Sequence, residues 1–173
     1  MSFLNRIFGG RDQRAPLEPL YRAVVAAGRD PVWYRDGGVP DTMDGRFDMI
    51  AALLALVLLR MEEEGDEPRA ATILLTEIFI DDMDGSLRQI GIGDHVVGKH
   101  VGKMMSALGG RLAAFREAPG GDAFEAAVRR NIYHEAPPSP EAAAATSARL
   151  ARFRAALAAA TYRDLLEGTL PQP

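Results

Sequence analysis

Apolar residues in this chain recur three and four positions apart, in blocks set off by Gly, Pro and short acidic runs. That period belongs to helices that each bury one stripe. Leu17, Leu20, Tyr21, Val24 and Val25 mark a first helix from Pro16 to Arg29, ended by Gly28. Pro31 to Asp44 lacks the period and reads as a loop carrying Trp33 and Tyr34. Asp41, Thr42 and Asp44 then offer cap oxygens to a helix running to about Glu64. Its middle, Ile50 to Leu59, is apolar on every side, as expected of a helix surrounded by others. Glu67 and Pro68 open the next helix, whose face is Ile73, Leu74, Leu75, Ile78 and Phe79. Gly85 is expected to break or bend it, just after Asp81, Asp82 and Asp84.

Gly91 and Gly93 allow a corner, and Asp94 caps a helix from His95 to about Ala118. Val97, Val101, Met104, Met105, Leu108, Leu112 and Phe115 form its apolar face. The Gly109-Gly110 pair inside it predicts a kink or a close helix approach. A helix from Asp122 to about Glu135 turns Phe124, Ala127, Val128 and Ile132 inward. Ser139 and Pro140 begin the last long helix, with Leu150, Phe153 and Leu157 as its stripe. The pattern predicts an all-α fold: a single-domain bundle of about six to seven helices around a central apolar helix, at residues 16–173. Residues 1–15 stand apart as a short amphipathic segment. Phe3, Leu4, Ile7 and Phe8 share one face there, which suits docking on the core or a weak membrane anchor.

Composition changes this picture in three ways. A net charge of −4 argues against general nucleic-acid binding, which needs a basic face to displace counterions. The lack of Cys excludes disulfides, thiolate metal sites and Cys nucleophiles. The longest apolar run, Met49 to Met61, is about 13 residues and falls short of the roughly 18 needed to span a bilayer.

Catalytic and metal motifs fail residue by residue. If Gly85 takes the sixth position of a calcium loop, the first is Ile80 and the twelfth Gly91, where a Glu is required. His95 and His100 are five apart and do not share a helix face for a metal; His134 is isolated. Gly91-Ile92-Gly93 lacks the third Gly of a dinucleotide fingerprint. No catalytic residue, metal or cofactor is therefore expected. A metal-dependent enzyme built on Asp81, Asp82 and Asp84 is the rival that these residues leave open.

Charge concentrates around the Gly corner. Acids at a helix C-terminus oppose the macrodipole, so Asp81, Asp82 and Asp84 are expected to be paired, with Arg88, Lys99 and Arg111 as the obvious cations. This stretch also carries a family likeness. Phe79, Asp81-Asp82-Met83-Asp84, Leu87-Arg88, Gly91-Ile92-Gly93-Asp94, Lys99, Met104 and Gly110-Arg111 form one block. Trp33-Tyr34, Val39-Pro40-Asp41-Thr42 and Gly45-Arg46-Phe47-Asp48-Met49 form another. In this order the two resemble the ubiquinol–cytochrome c chaperone family.

The resemblance implies a non-catalytic assembly factor for the cytochrome bc1 complex that binds newly made cytochrome b or another component. It also implies a small co-chaperone as a candidate partner. The segment before the first helix does not resemble a mitochondrial presequence. A bacterial-type member is expected, acting from the cytoplasm and touching the inner membrane peripherally. A membrane-peripheral adaptor for another client is the alternative. The residues expected to meet a partner are Trp33, Tyr34, Asp82, Asp84, Arg88, Asp94, Lys99, Lys103, Met104 and Arg111.

Overall fold

Two prolines begin the fold. Pro16 lies in a 3₁₀ turn (Ala15–Leu17) and Pro19 in the first turn of α1 (Glu18–Gly28), where a missing N–H costs no helical bond. A short helix, α2 (Pro31–Arg35), is capped by Asp30, whose carboxylate accepts the Val32 N–H at 2.9 Å. α3 (Met43–Glu62) is capped by Thr42, whose hydroxyl accepts the Gly45 N–H at 3.1 Å. Two long helices follow, α4 (Arg69–Gln89) and α5 (Asp94–Glu117). α6 (Gly121–Val128) runs directly into a π-helical turn, Arg129–Tyr133. α7 (Pro140–Leu157) is capped by Ser139, and α8 (Tyr162–Leu166) by a reciprocal Thr161–Asp164 capping box. The computed structural model describes residues 13–65, 68–89, 94–134 and 138–172, without the side chains of 94–97. No strand occurs among the described residues.

α3 is the axis. Every residue from Asp48 to Leu58 is buried, and α1, α4, α5, α7 and the π turn all pack on it. The all-round apolar run thus sits at the centre of a helical bundle, as its pattern predicts. Gly28 lets α1 cross closely: a Cβ there would meet Ile50 Cγ1 at 2.7 Å. The stripe on α7 is longer than Leu150, Phe153 and Leu157. It begins at Ala143 and includes Thr146, so the Ala-rich helix is anchored along most of its length.

Two arginines close helix ends that would otherwise leave bare carbonyls. Arg154 donates to the Phe115 and Ala118 carbonyls at 2.9 and 3.0 Å, at the end of α5. Arg60 donates to the Leu157 and Ala160 carbonyls at 3.1 and 2.9 Å, at the end of α7. A cation at a helix C-terminus satisfies both the orphan acceptors and the macrodipole.

Several local expectations change. α4 continues through Gly85 to Gln89 without a break, because one Gly weakens a helix by only about 1 kcal/mol and packing on α5 outweighs that. Gly109 and Gly110 face open space, with nothing within 4 Å of a Cβ at either, so they serve no close approach. The loop after α1 contains α2, a helical turn too short to show a period. The Gly91–Gly93 corner and residues 1–12 lie outside the described residues.

Candidate functional site

Three helices leave a groove where their ends diverge. α3 contributes Met43, Asp44, Arg46, Phe47 and Ile50 from its first two turns. Met83, Ser86, Leu87 and Gln89 come from the end of α4, and His100 and Met104, one turn apart, from α5. Arg29, just past α1, completes a cavity of about 300 Å³. Each helix shows the groove the face that its spacing of three and four puts in register. Phe47 forms the floor and stacks on the buried Phe79, with ring centroids 5.7 Å apart.

The groove is apolar and soft. Met83 is nearly buried, Met104 half-buried and Met43 exposed. Unbranched thioether side chains refit around irregular apolar surfaces with little rotamer strain. The charged residues that line the groove, Arg29, Asp44 and Arg46, are all exposed. Arg46 is held by Asp41 at 2.7 Å and lies 6.0 Å from the Tyr34 ring centroid. No helix among the described residues is long and apolar enough to cross a membrane. No group of three or more His, Asp or Glu among them is placed to hold a metal ion.

Behind the floor lies a buried ion pair. Asp48 and Arg111 are 4% and 2% exposed, and Arg111 Nη2 donates to Asp48 Oδ1. The same nitrogen donates to the Asn131 carbonyl at 2.6 Å, and the guanidinium carbon sits 5.6 Å from the Phe47 ring centroid. His134 Nε2 meets the other Asp48 oxygen at 2.7 Å. Burial pushes the Asp48 carboxyl above its ordinary range, against the pull of Arg111 and His134. It pushes the Arg111 guanidinium below its own, against the pull of Asp48. The two directions share one cause, the loss of water around both charges. His134 itself sits at φ 47, ψ −117, a conformation that favours glycine and costs an L-residue roughly 1–3 kcal/mol.

The residues expected to meet a partner divide by burial. Met104 lines the groove. Lys99 and Lys103 are exposed on α5, beside His100 and Met104 in sequence. Arg88 is exposed on α4 and bonds Asp84 one turn back at 2.7 Å. Tyr34 is half-buried: its hydroxyl donates to the Gly28 carbonyl at 2.6 Å, and burial pushes it up to about 12. Trp33 is wholly buried, with Nε1 donating to the Ala27 carbonyl at 2.7 Å, so it pins its loop from inside. Arg111 is likewise internal. Asp94 opens α5, and its side chain lies outside the described residues.

The aspartate cluster is paired, but not with the expected set. Asp81 bonds Arg14 at 2.5 Å, Asp82 accepts from the Tyr21 hydroxyl at 2.6 Å, and only Asp84 pairs with Arg88. The three carboxylates follow one another around α4 and so reach different neighbours. Among the described residues Lys99 makes no ion pair with them. Each carboxylate is thus tied to a partner of its own.

Sequence reasoning missed Asp48, Phe47, Met43, Met83 and His134 as members of a site. The signal for Asp48 was present: an acid at the head of the longest apolar run needs a buried partner. The two blocks of family likeness meet at this point, one supplying Phe47 and Asp48 and the other Arg111.

The described residues form an all-α bundle, and two comparisons place the chain in a class. Residues 35–171 match the ubiquinol–cytochrome C chaperone family, and the chain is a member of it. A crystal structure of the Cbp3 homolog from Brucella abortus is similar over 99% of this chain and 97% of that one, with a TM-score of 0.77 and 29% sequence identity. No curated protein matches.

Proposed function

We propose that this chain is a non-catalytic chaperone in assembly of the cytochrome bc1 complex, and that it holds newly made cytochrome b. Membership of the ubiquinol–cytochrome c chaperone family and the likeness to a Cbp3 homolog over nearly the whole chain support the role. The observation that carries the mode of action is the methionine groove between α3, α4 and α5. Exposed Met43, half-buried Phe47 and Met104, and buried Leu87 border this opening together, whereas Ile73 and Met105 are exposed outside it. An apolar segment of an unfinished membrane protein fits such a surface, because each buried Å² of apolar area contributes roughly 25 cal/mol.

In this reading Arg29, Arg88, Lys99 and Lys103 orient the client at the mouth and raise the rate of encounter more than the affinity. Tyr34, Asp82 and Asp84 order the rim; Trp33 and Arg111 support it from inside. Asp94 is assigned to the client contact as well. The chain acts from the cytoplasm on the inner face of the membrane, with a small co-chaperone as a further partner.

The test is photo-crosslinking from a benzophenone side chain at Met104 during cytochrome b synthesis. A crosslink to nascent cytochrome b that is lost on adding Phe47→Ala, with the fold intact, supports the groove. A crosslink retained at full strength in Phe47→Ala, or found instead from Ile73 near the start of α4, would sink it.

A further inference from the structure

Phe47 and Asp48 are neighbours in the chain but line two different grooves, which share Asp44. Phe47 lines the methionine groove. Asp48 lines a second groove, of about 560 Å³, with Arg130, Ile132, Tyr133 and His134. Arg111 touches both: it lies over the Phe47 ring and donates to the Asp48 carboxylate. It also donates to the Asn131 carbonyl inside the π turn. His134, which follows the turn, bonds the remaining Asp48 oxygen. One guanidinium therefore joins the floor of the first groove to residues 129–134 through direct contacts.

That turn is held rather than relaxed. Its winding is π-helical, a rare form that frequently occurs at functional sites. His134 keeps a backbone conformation suited to glycine, although its ring is 59% exposed, because one nitrogen is tied to a buried carboxylate. Ile132 and Tyr133 are buried beneath it, and the Tyr133 hydroxyl donates to the Gly37 carbonyl at 2.6 Å. Arg111 Nε is buried with no hydrogen-bond partner, so the closed arrangement leaves one guanidinium donor unused.

We propose that residues 129–134 are a latch whose closure depends on Phe47, so that filling the methionine groove loosens the turn that lines the adjoining groove. The biological trigger rests on the client reading above; the latch and its link to Phe47 stand on the contacts alone. The device would report client load at a surface carrying Arg129 and Arg130, both exposed.

Hydrogen exchange of the full chain tests this without any client, so failure of the client reading leaves the result intact. His134→Gly removes the ring contact and the backbone strain together. The latch predicts exchange at 129–134 faster by about tenfold or more, with α3 unchanged. If His134 were only a tolerated turn residue, Gly would leave protection equal or higher, and the latch would be overturned. Phe47→Leu, which keeps apolar bulk but removes the ring under Arg111, is expected to loosen the same segment. Met104→Ala, in the same groove but away from Arg111, is not. Loosening by His134→Gly but not by Phe47→Leu would break the link between grooves and overturn the proposal as well.

Discussion

Arg111 and Arg116 leave the same helix and reach the same neighbour, α3, but meet it in different surroundings. Arg111 is sealed against Asp48 near the start of α3, while Arg116 bonds Glu62 at its end at 2.7 Å, with both side chains about half exposed. The contacts look alike in sequence and differ in energy. Water screens the outer pair, which also spends side-chain entropy to hold its geometry. The inner pair has lost its water, and each charge depends on the other to remain tolerable.

The largest expected effect is therefore Asp48→Ala. It strands the Arg111 charge and should cost about 3–5 kcal/mol in urea unfolding. The double variant Asp48→Leu with Arg111→Met should recover most of that loss, since an apolar pair needs no compensation. A double variant as unstable as the single one would show that the pair matters for more than its charges.

Leu53→Ala, in the fully buried middle of α3, should cost about 2–5 kcal/mol by cavity formation. It should leave the groove unaffected, because Leu53 does not line it. Arg154→Ala should cost about 1–2 kcal/mol, as the Phe115 and Ala118 carbonyls lose a charged donor. By contrast Arg116→Ala should change stability by less than about 1 kcal/mol, and its effect should shrink in high salt. A loss at Arg116 comparable to that at Asp48 would dissolve the contrast between the pairs.

The smallest effect concerns pH. The Thr161 hydroxyl and backbone N–H hold the Asp164 carboxyl below its ordinary range. Its contribution is present above the unfolded value, near pH 4, and is lost as pH falls through the lower folded value. Asp164→Asn should therefore flatten the acid side of the stability curve slightly. A profile identical to that of the parent chain would mean the capping box does not persist in solution.

The contrast between the arginines also marks how far the sequence could be read. Helical spacing was legible wherever a stripe was long, as at Leu150, Phe153 and Leu157, because the stripe and the helix share one period. The cap at Ser139 was legible too, and at the head of α3 the fold uses Thr42 of the three candidates Asp41, Thr42 and Asp44, since a cap acts within three residues. Gly85 and the Gly109-Gly110 pair misled, because intrinsic propensity is weak beside the packing of a helix on its neighbours. Met104 was placed in a site by family likeness, and the fold then supplied Met43, Met83 and Phe47 around it.

By itself the sequence determined an all-α bundle, its central helix and its family, because these rest on local periodicity and on residues in fixed order. Only the tertiary structure decided which charges pair and which apolar residues stay open. Asp48 and Arg111 are 63 positions apart, and neither carries a mark that names the other. Their meeting depends on how α5 crosses α3, and that crossing is the summed outcome of many apolar contacts, none of which is specific alone.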